Sequence, residues 1–368
     1  MKTEKEEIQK GGGTRRTIWI DAAKFFAILA VLTDHTFDIL YTSPKIRLLS
    51  YCSVSVFIIL TGVTSYWSFQ KGNFQILKKE AAIFLPYIAA TFIYSIAFNN
   101  YSFDFELFLQ QLIRFNAFGH LYYVLLYMQL ILIAPVFFHL FRLTSQKKYG
   151  FVLEAAVFLA VIFLSVWTSR KTNILSVYGG GGKLFGGSYL ILYFLGMWLA
   201  KYDRQIKLSQ AQSCLLLMVS LVSLGCYGYF YALRPNFLDQ HNLFGDTLNP
   251  PGVTLCVFAV LITILFYSLG KLLDHYPNGF PTRLFRLFSI PGRHTLYIFL
   301  YHALIIVKIL MPVKDFLYHS LKSFNAVRII FYAGTILLSI GIEFVFKRIR
   351  KIIIRCYTNI SPDNNIKI

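Results

Sequence analysis

Apolar runs of membrane-spanning length recur from one end of this 368-residue chain to the other. A segment of about 20 apolar residues crosses a bilayer as a helix, because lipid leaves every backbone N–H and C=O to be satisfied within the segment. Composition agrees, with 56% of residues hydrophobic, 17% aromatic and only 14% charged. The chain is therefore expected to be all-α, a polytopic integral membrane bundle of about ten transmembrane helices with both termini cytoplasmic. The expected spans are 17–41, 47–69, 81–98, 119–141, 150–168, 184–201, 211–233, 252–270, 294–312 and 325–346. They form one domain, 17–346, between a cytoplasmic tail at 1–16 and a basic one at 347–368.

The formal net charge of +19 raises the question of a nucleic-acid partner. Yet 24 of the 36 lysines and arginines fall on the side that holds the N-terminus and ten on the other. That asymmetry is the positive-inside pattern of a cell-membrane protein with an even number of crossings, so membrane lipid is the expected surrounding and nucleic acid is not a partner. Cys52, Cys214, Cys226, Cys256 and Cys356 are far apart and form no CxxC pair, so neither disulfides nor a metal site is expected. Arg15 and Arg16 precede the first run, which lacks a small-residue cleavage pattern and reads as a retained anchor. No connector is long enough for a sizeable soluble domain, which leaves the bundle and its mouths as the place for chemistry.

The stretch Thr17 to Tyr41 carries Asp21, Lys24, Asp34, His35 and Asp38. A charge near the middle of a membrane helix costs about 2.5 to 3.5 kcal/mol even on the lenient insertion scale, so these residues need a reason. Eleven steps at about 100° bring Lys24 and His35 to within roughly 20° of each other around the axis. Asp21, three before Lys24, is close enough to pair with it, and Asp38, three after His35, is close enough to orient its ring, with Asp34 as an alternative. At about 1.5 Å per residue the two basic groups are roughly 16 Å apart along the helix. A polar seam through the membrane is the implied feature, with His35 placed to accept a hydroxyl proton and Lys24 to meet an anionic ligand. The plain alternatives are a histidine satisfied by a neighbouring helix and a lysine that reaches back to the membrane surface.

Other candidates are weaker. Lys71, Lys78 and Lys79 cluster at the mouth of the third span, where phosphates or anionic lipid heads suit them equally. His120 stands at the start of the fourth span, bordering the chamber of His35 or serving an interfacial structural role. His302 lies mid-span, where an imidazole must find a hydrogen bond within the bundle. The glycine-rich VYGGGGKLFGGS lacks the first glycine and the serine or threonine of a phosphate loop and reads as a flexible connector with Tyr178 as an interfacial aromatic. No G-x-S-x-G or HExxH pattern is present.

Several runs together resemble the bacterial membrane acyltransferase-3 family, multi-pass O-acyltransferases that modify surface polysaccharides. The resemblance rests first on a basic residue, ten intervening positions and a histidine, here Lys24 and His35, with Asp21 three before the basic residue. It extends through Ile59-Leu60-Thr61-Gly62, HLYYVLLY after Gly119, YFLGMWLA with Gly196, and Gly292-Arg293-His294-Thr295-Leu296-Tyr297 leading to His302. In this chain Lys78 and Lys79 stand where relatives often carry an arginine pair before the third-helix proline, and Tyr122 replaces a common tryptophan.

The resemblance implies transfer of an acyl group, usually acetyl from cytoplasmic acetyl-CoA, to a hydroxyl of a surface or cell-wall glycan. It implies that His35 is the general base or acyl relay, with Asp38 beside it. Asp21 and Lys24, with Lys78 and Lys79, would serve the donor; His120, Tyr122 and His302 would serve the acceptor. The esterase-like domain fused to some relatives is not expected, so transfer is completed here or by a separate protein. A homo-oligomer stays open. The rival reading is a transporter of a lipid-linked sugar or small solute, since a polar stripe also suits a permeation path; the lack of internal repeats weighs against it.

Overall fold

The structure, a computed structural model, describes residues 18–170, 186–203, 205–233 and 250–360. Among these, regular structure is helical, apart from an isolated bridge between Phe37 and Tyr41. The helices are α1 (Ile18–His35), α2 (Pro44–Ser50), α3 (Ser53–Gln70), α4 (Ile76–Ala97), α5 (Phe105–Arg114), α6 (Tyr122–Ser145) and α7 (Gly150–Arg170). They continue as α8 (Tyr189–Asp203), α9 (Gln210–Leu233), α10 (Val253–Asp274), α11 (Phe280–Ser289), α12 (Thr295–Ile305), α13 (Lys314–Leu321) and α14 (Phe324–Ile360). A 3₁₀ turn at Pro291–Arg293 leads into α12, and a π-helical turn at Ile306–Leu310 leaves it.

A helix coincides with each of the ten expected spans, but they differ in kind. Among the described residues, α4, α6, α7, α9, α10 and α14 are long and apolar enough to cross a membrane, and a seventh span arises if Thr295–Leu310 and α13, bent by 68°, count as one. The central helices miss that standard for physical reasons: α1 carries Asp21, Lys24 and Asp34, α3 is rich in serine and threonine, and α8 has only 15 residues. They are enclosed by the others. The outward faces of α7, α9 and α14 are apolar, with Phe163, Leu215 and Leu337 well exposed, as lipid-facing surfaces are. The short helices α5, α11 and α13 fall in stretches expected to be plain connectors, α2 straddles the expected start of the second span at residue 47, and α14 runs on past residue 346 to Ile360. The glycine-rich stretch lies largely outside the described residues; its last members, Gly186 and Gly187, take left-handed backbone (φ +71° and +59°) before α8.

The first helix stops earlier than expected. It ends at His35, and Asp38, itself exposed, takes a left-handed conformation (φ 64°) in a turn closed by hydrogen bonds between Thr36 and Leu40 and between Asp38 and Tyr41.

Close backbone contact holds the centre together. A Cβ on Gly62 of α3 would stand 2.2 Å from the Tyr193 carbonyl oxygen, and one on Gly196 of α8 would stand 2.0 Å from the Ile59 carbonyl oxygen. Without a hydrophobic drive between helices in lipid, small residues that let backbones approach supply the packing. A second tie is polar. Glu154 of α7 accepts hydrogen bonds from Thr144 (2.8 Å), Trp198 Nε1 (3.0 Å) and Tyr202 (2.7 Å), and it pairs with buried Lys201. This locks α6, α7 and α8 at one end.

Two outcomes follow. Gly196→Ala should destabilise the bundle by about 1 to 3 kcal/mol, the usual range for overpacking, measured as loss of folded protein on heating in detergent; an unchanged melting curve would deny the close α3–α8 contact. Lys201→Met should cost about 3 to 5 kcal/mol by stranding the Glu154 carboxylate, and a second change, Glu154→Leu, should recover most of it. If the double variant is no better than the single, the pair is not the source of the loss.

Candidate active site

Two of the cavities along α1 lie between it and α3, α6 and α12. The one nearer its N-terminus has a volume of about 190 Å³ and is lined by Lys24, Phe57 and Thr61 of α3, Lys79 and Ile83 of α4, Tyr123 and Tyr127 of α6, and Thr295 and Phe299 of α12. The other, about 150 Å³, is lined by Asp34, His35, Tyr51, Ser53, His120, Tyr122, Tyr189 and again Phe299. Each of α1, α3, α6 and α12 contributes to both or stands beside both, so the cavities stack along the helix axes. The expected seam between Lys24 and His35 is therefore present as two chambers rather than one channel.

Three imidazoles meet at the second cavity. The ring centre of His35 is 4.7 Å from that of His302 and 5.9 Å from that of His120, and the last two are 4.4 Å apart. His120 is 4% exposed and His302 wholly buried, whereas His35 is reachable. His302 Nδ1 lies 2.7 Å from the Phe299 carbonyl oxygen, which can only accept, so Nδ1 carries the proton and Nε2 the lone pair. By the same logic His120 donates from Nε2 to the Leu300 carbonyl at 3.4 Å, leaving its Nδ1 as the acceptor. Both of those nitrogens are buried without a hydrogen-bond partner. Three rings this close cannot all be protonated without like-charge repulsion. Among the described residues no group of three or more His, Cys, Asp or Glu side chains is placed to bind a metal ion.

What fixes α12 in this register is a chain of contacts at its start. A Cβ on Gly292 would lie 1.8 Å from the Asp21 carbonyl oxygen, so the 3₁₀ turn presses directly on α1. Arg293 reaches the Asp21 carboxylate at 3.5 Å, and His294 Nδ1 bonds Glu343 of α14 at 2.8 Å. One turn on, Phe299 faces both cavities; three residues later comes His302. The π-helical turn follows at once, a feature common at functional sites.

The sequence-derived candidates fare differently. His35, His120 and Tyr122 line one cavity, with His302 buried behind the first two, and Lys24 and Lys79 share the other. Lys78 is exposed and lines neither. Asp21 is buried and paired with Arg293, a partner the spacing within α1 did not suggest. Asp38 is not placed by helical i, i+3 spacing, because the helix ends before it. Asp34 is held by Arg47 at 3.1 Å, and Arg47 itself stacks on Phe37 at 4.6 Å. Phe299, Tyr123, Tyr51 and Tyr189 were not anticipated. They are aromatic residues in apolar runs, where no local spacing marks a cavity wall.

This arrangement coincides with an independent finding. The family model for the acyltransferase-3 acyltransferase domain matches residues 17–347, nearly the whole chain. No curated protein and no solved structure matches it. The protein belongs to the acyltransferase-3 family of membrane acyltransferases.

Proposed function

We propose that this protein transfers an acetyl group from acetyl-CoA, bound from the cytoplasm, to a hydroxyl of a surface or cell-wall glycan. The observation that carries the reading is the pair of cavities stacked along α1, one with two lysines and the other with His35 and His120, backed by the buried His302 ring. Lys24 and Lys79 supply positive charge to the donor's phosphates, and exposed Lys78 adds to it at the mouth. The Lys24 cavity, about 190 Å³ and walled by Phe57, Tyr123 and Tyr127, suits a thin thioester arm. This orientation takes the N-terminal end of α1 as cytoplasmic and the bundle as ten crossings of the cell membrane, in keeping with the charge asymmetry.

The chemistry is that of a positioned general base. His35, the half-buried member of the cluster that lines the cavity with His120, takes the acceptor hydroxyl proton as that oxygen bonds the acyl carbon and the carbon–sulfur bond breaks. His302 Nε2 and His120 Nδ1 offer lone pairs that hold the His35 ring in position while it is charged. The proton then leaves His35 for the departing thiolate, which closes the cycle as free CoA and a glycan ester. Tyr122, with Tyr51 and Ser53, lines the space left for the acceptor.

His35→Ala, at matched expression, should lower the O-acetyl ester content of surface glycans by about 10² to 10⁴ in transfer rate, read by mass spectrometry of cells lacking the native gene. Full restoration by that variant would remove His35 from the chemistry. If deleting the gene changes no ester but alters uptake or export of a sugar, transport is the better reading. With purified protein, Lys24→Ala and Lys79→Ala should each raise KM for the acyl donor by about tenfold to a hundredfold, the worth of one charge-assisted bond, with kcat little changed. A fall in kcat at constant KM would place the lysines elsewhere in the reaction.

A further inference from the structure

We infer that Phe299 is the shutter between the two cavities and the residue that limits the length of the acyl group, an inference that rests on the function proposed above. Its ring is the wall common to both chambers and is only 5% exposed. On one side it packs at 4.9 Å from the Tyr123 ring, which itself lies 6.3 Å from Phe57; on the other it meets the His120 ring edge-on at 5.2 Å. These rings make an aromatic floor across the seam.

Two features single out Phe299 in that floor. Its own carbonyl is the acceptor that sets the His302 tautomer, so its backbone is tied to the histidine cluster. Its ring is the one that both cavities share. An acyl thioester arriving past Lys24 and Lys79 meets the face of Phe299 before it meets His35. The acyl end is the leading tip, and it must pass the ring for its carbonyl carbon to come within reach of the acceptor oxygen. In the transfer the C–S bond breaks, the C–O ester bond forms, and the hydroxyl proton goes by way of His35 to the thiolate, all on the histidine side of Phe299.

Beyond the ring, the cavity of about 150 Å³ takes a group of roughly benzene's size and must also admit the acceptor hydroxyl. That leaves room for a two-carbon acyl group and little more. Closed, the ring keeps the histidine cavity apart from the donor side, so water that enters with the acceptor does not reach a waiting thioester.

The test uses purified full-length protein with acetyl-CoA and butyryl-CoA in parallel, with de-esterified surface glycan as acceptor. It reads the ratio of butyryl to acetyl transfer within each preparation, which does not depend on the fraction folded. The native protein should strongly favour acetyl. Phe299→Ala should raise the ratio by about tenfold or more, the discrimination a methylene or two commands in an apolar pocket, and should raise thioester hydrolysis without acceptor. Phe299→Leu, a smaller change kept in case the alanine variant does not fold, should shift the ratio in the same direction by less. Phe299→Trp should depress both donors. An unchanged ratio in a folded Phe299→Ala or Phe299→Leu protein, beside an active native one, would overturn the inference alone. A native protein that transfers from neither donor would overturn the proposed function and this inference with it.

Discussion

An aspartate and a lysine on a helix of membrane-spanning length are tolerable only where protein rather than lipid surrounds them, and the rest of the architecture follows from that constraint. At a cost of about 2.5 to 3.5 kcal/mol for a charge at the bilayer centre, α1 is viable as an enclosed element. Its enclosure is built from backbone contacts: Gly292 lies against the Asp21 carbonyl and Gly270 against Trp19 of α1 itself, while Gly62 and Gly196 bring α3 and α8 together beside it. Glycine at these points removes the side chain that would otherwise hold the helices apart. The apolar helices α7, α9 and α14 then face outward, where their exposed phenylalanines and leucines meet lipid.

Enclosure also creates the site. A polar stripe packed against other helices leaves space where side chains do not fill it, and that space divides at Phe299 into a lysine cavity and a histidine cavity. The Asp21–Arg293 pair links the two demands, because it neutralises a buried carboxylate and at the same time sets where α12 begins. From that start the positions of Phe299 and His302 are given by helical geometry alone. The buried Glu154–Lys201 cluster has the opposite character: every group in it is satisfied within the protein, and it opens onto no cavity lined by the histidines. A satisfied charge network holds helices; an imidazole cluster with open lone pairs is available for chemistry.

Much of this was legible in the chain. Spans show in a sequence because lipid demands long apolar runs, and the eleven-residue spacing of Lys24 and His35 placed both on one face since that stretch is regular helix. The reading failed where regularity fails. Asp38 was tied to His35 by an i, i+3 rule that has no force once the helix ends at His35 and the backbone turns left-handed. Arg293, which also reaches Asp21, comes from 272 residues further on, beyond any local rule. His120 was legible as a residue at the chamber of His35, and His302 as a mid-span imidazole needing a partner, but the meeting of all three rings depends on the register of helices set by glycine contacts no periodicity reveals. Phe299 looks like any other aromatic in an apolar run. The short helices α5, α11 and α13 sit in stretches too short to span, which hid them among connectors.

The central claim is that an acyl group passes through the bundle from one side of the membrane to a hydroxyl on the other. The most direct measurement places the native protein in sealed vesicles with acetyl-CoA labelled in its acetyl group inside and de-esterified surface glycan outside. The predicted result is labelled ester on the outer glycan while the nucleotide stays within, with one free thiol formed inside for each ester outside. Label on the glycan only when donor and acceptor share a compartment, or solute movement with no thioester consumed, would contradict it.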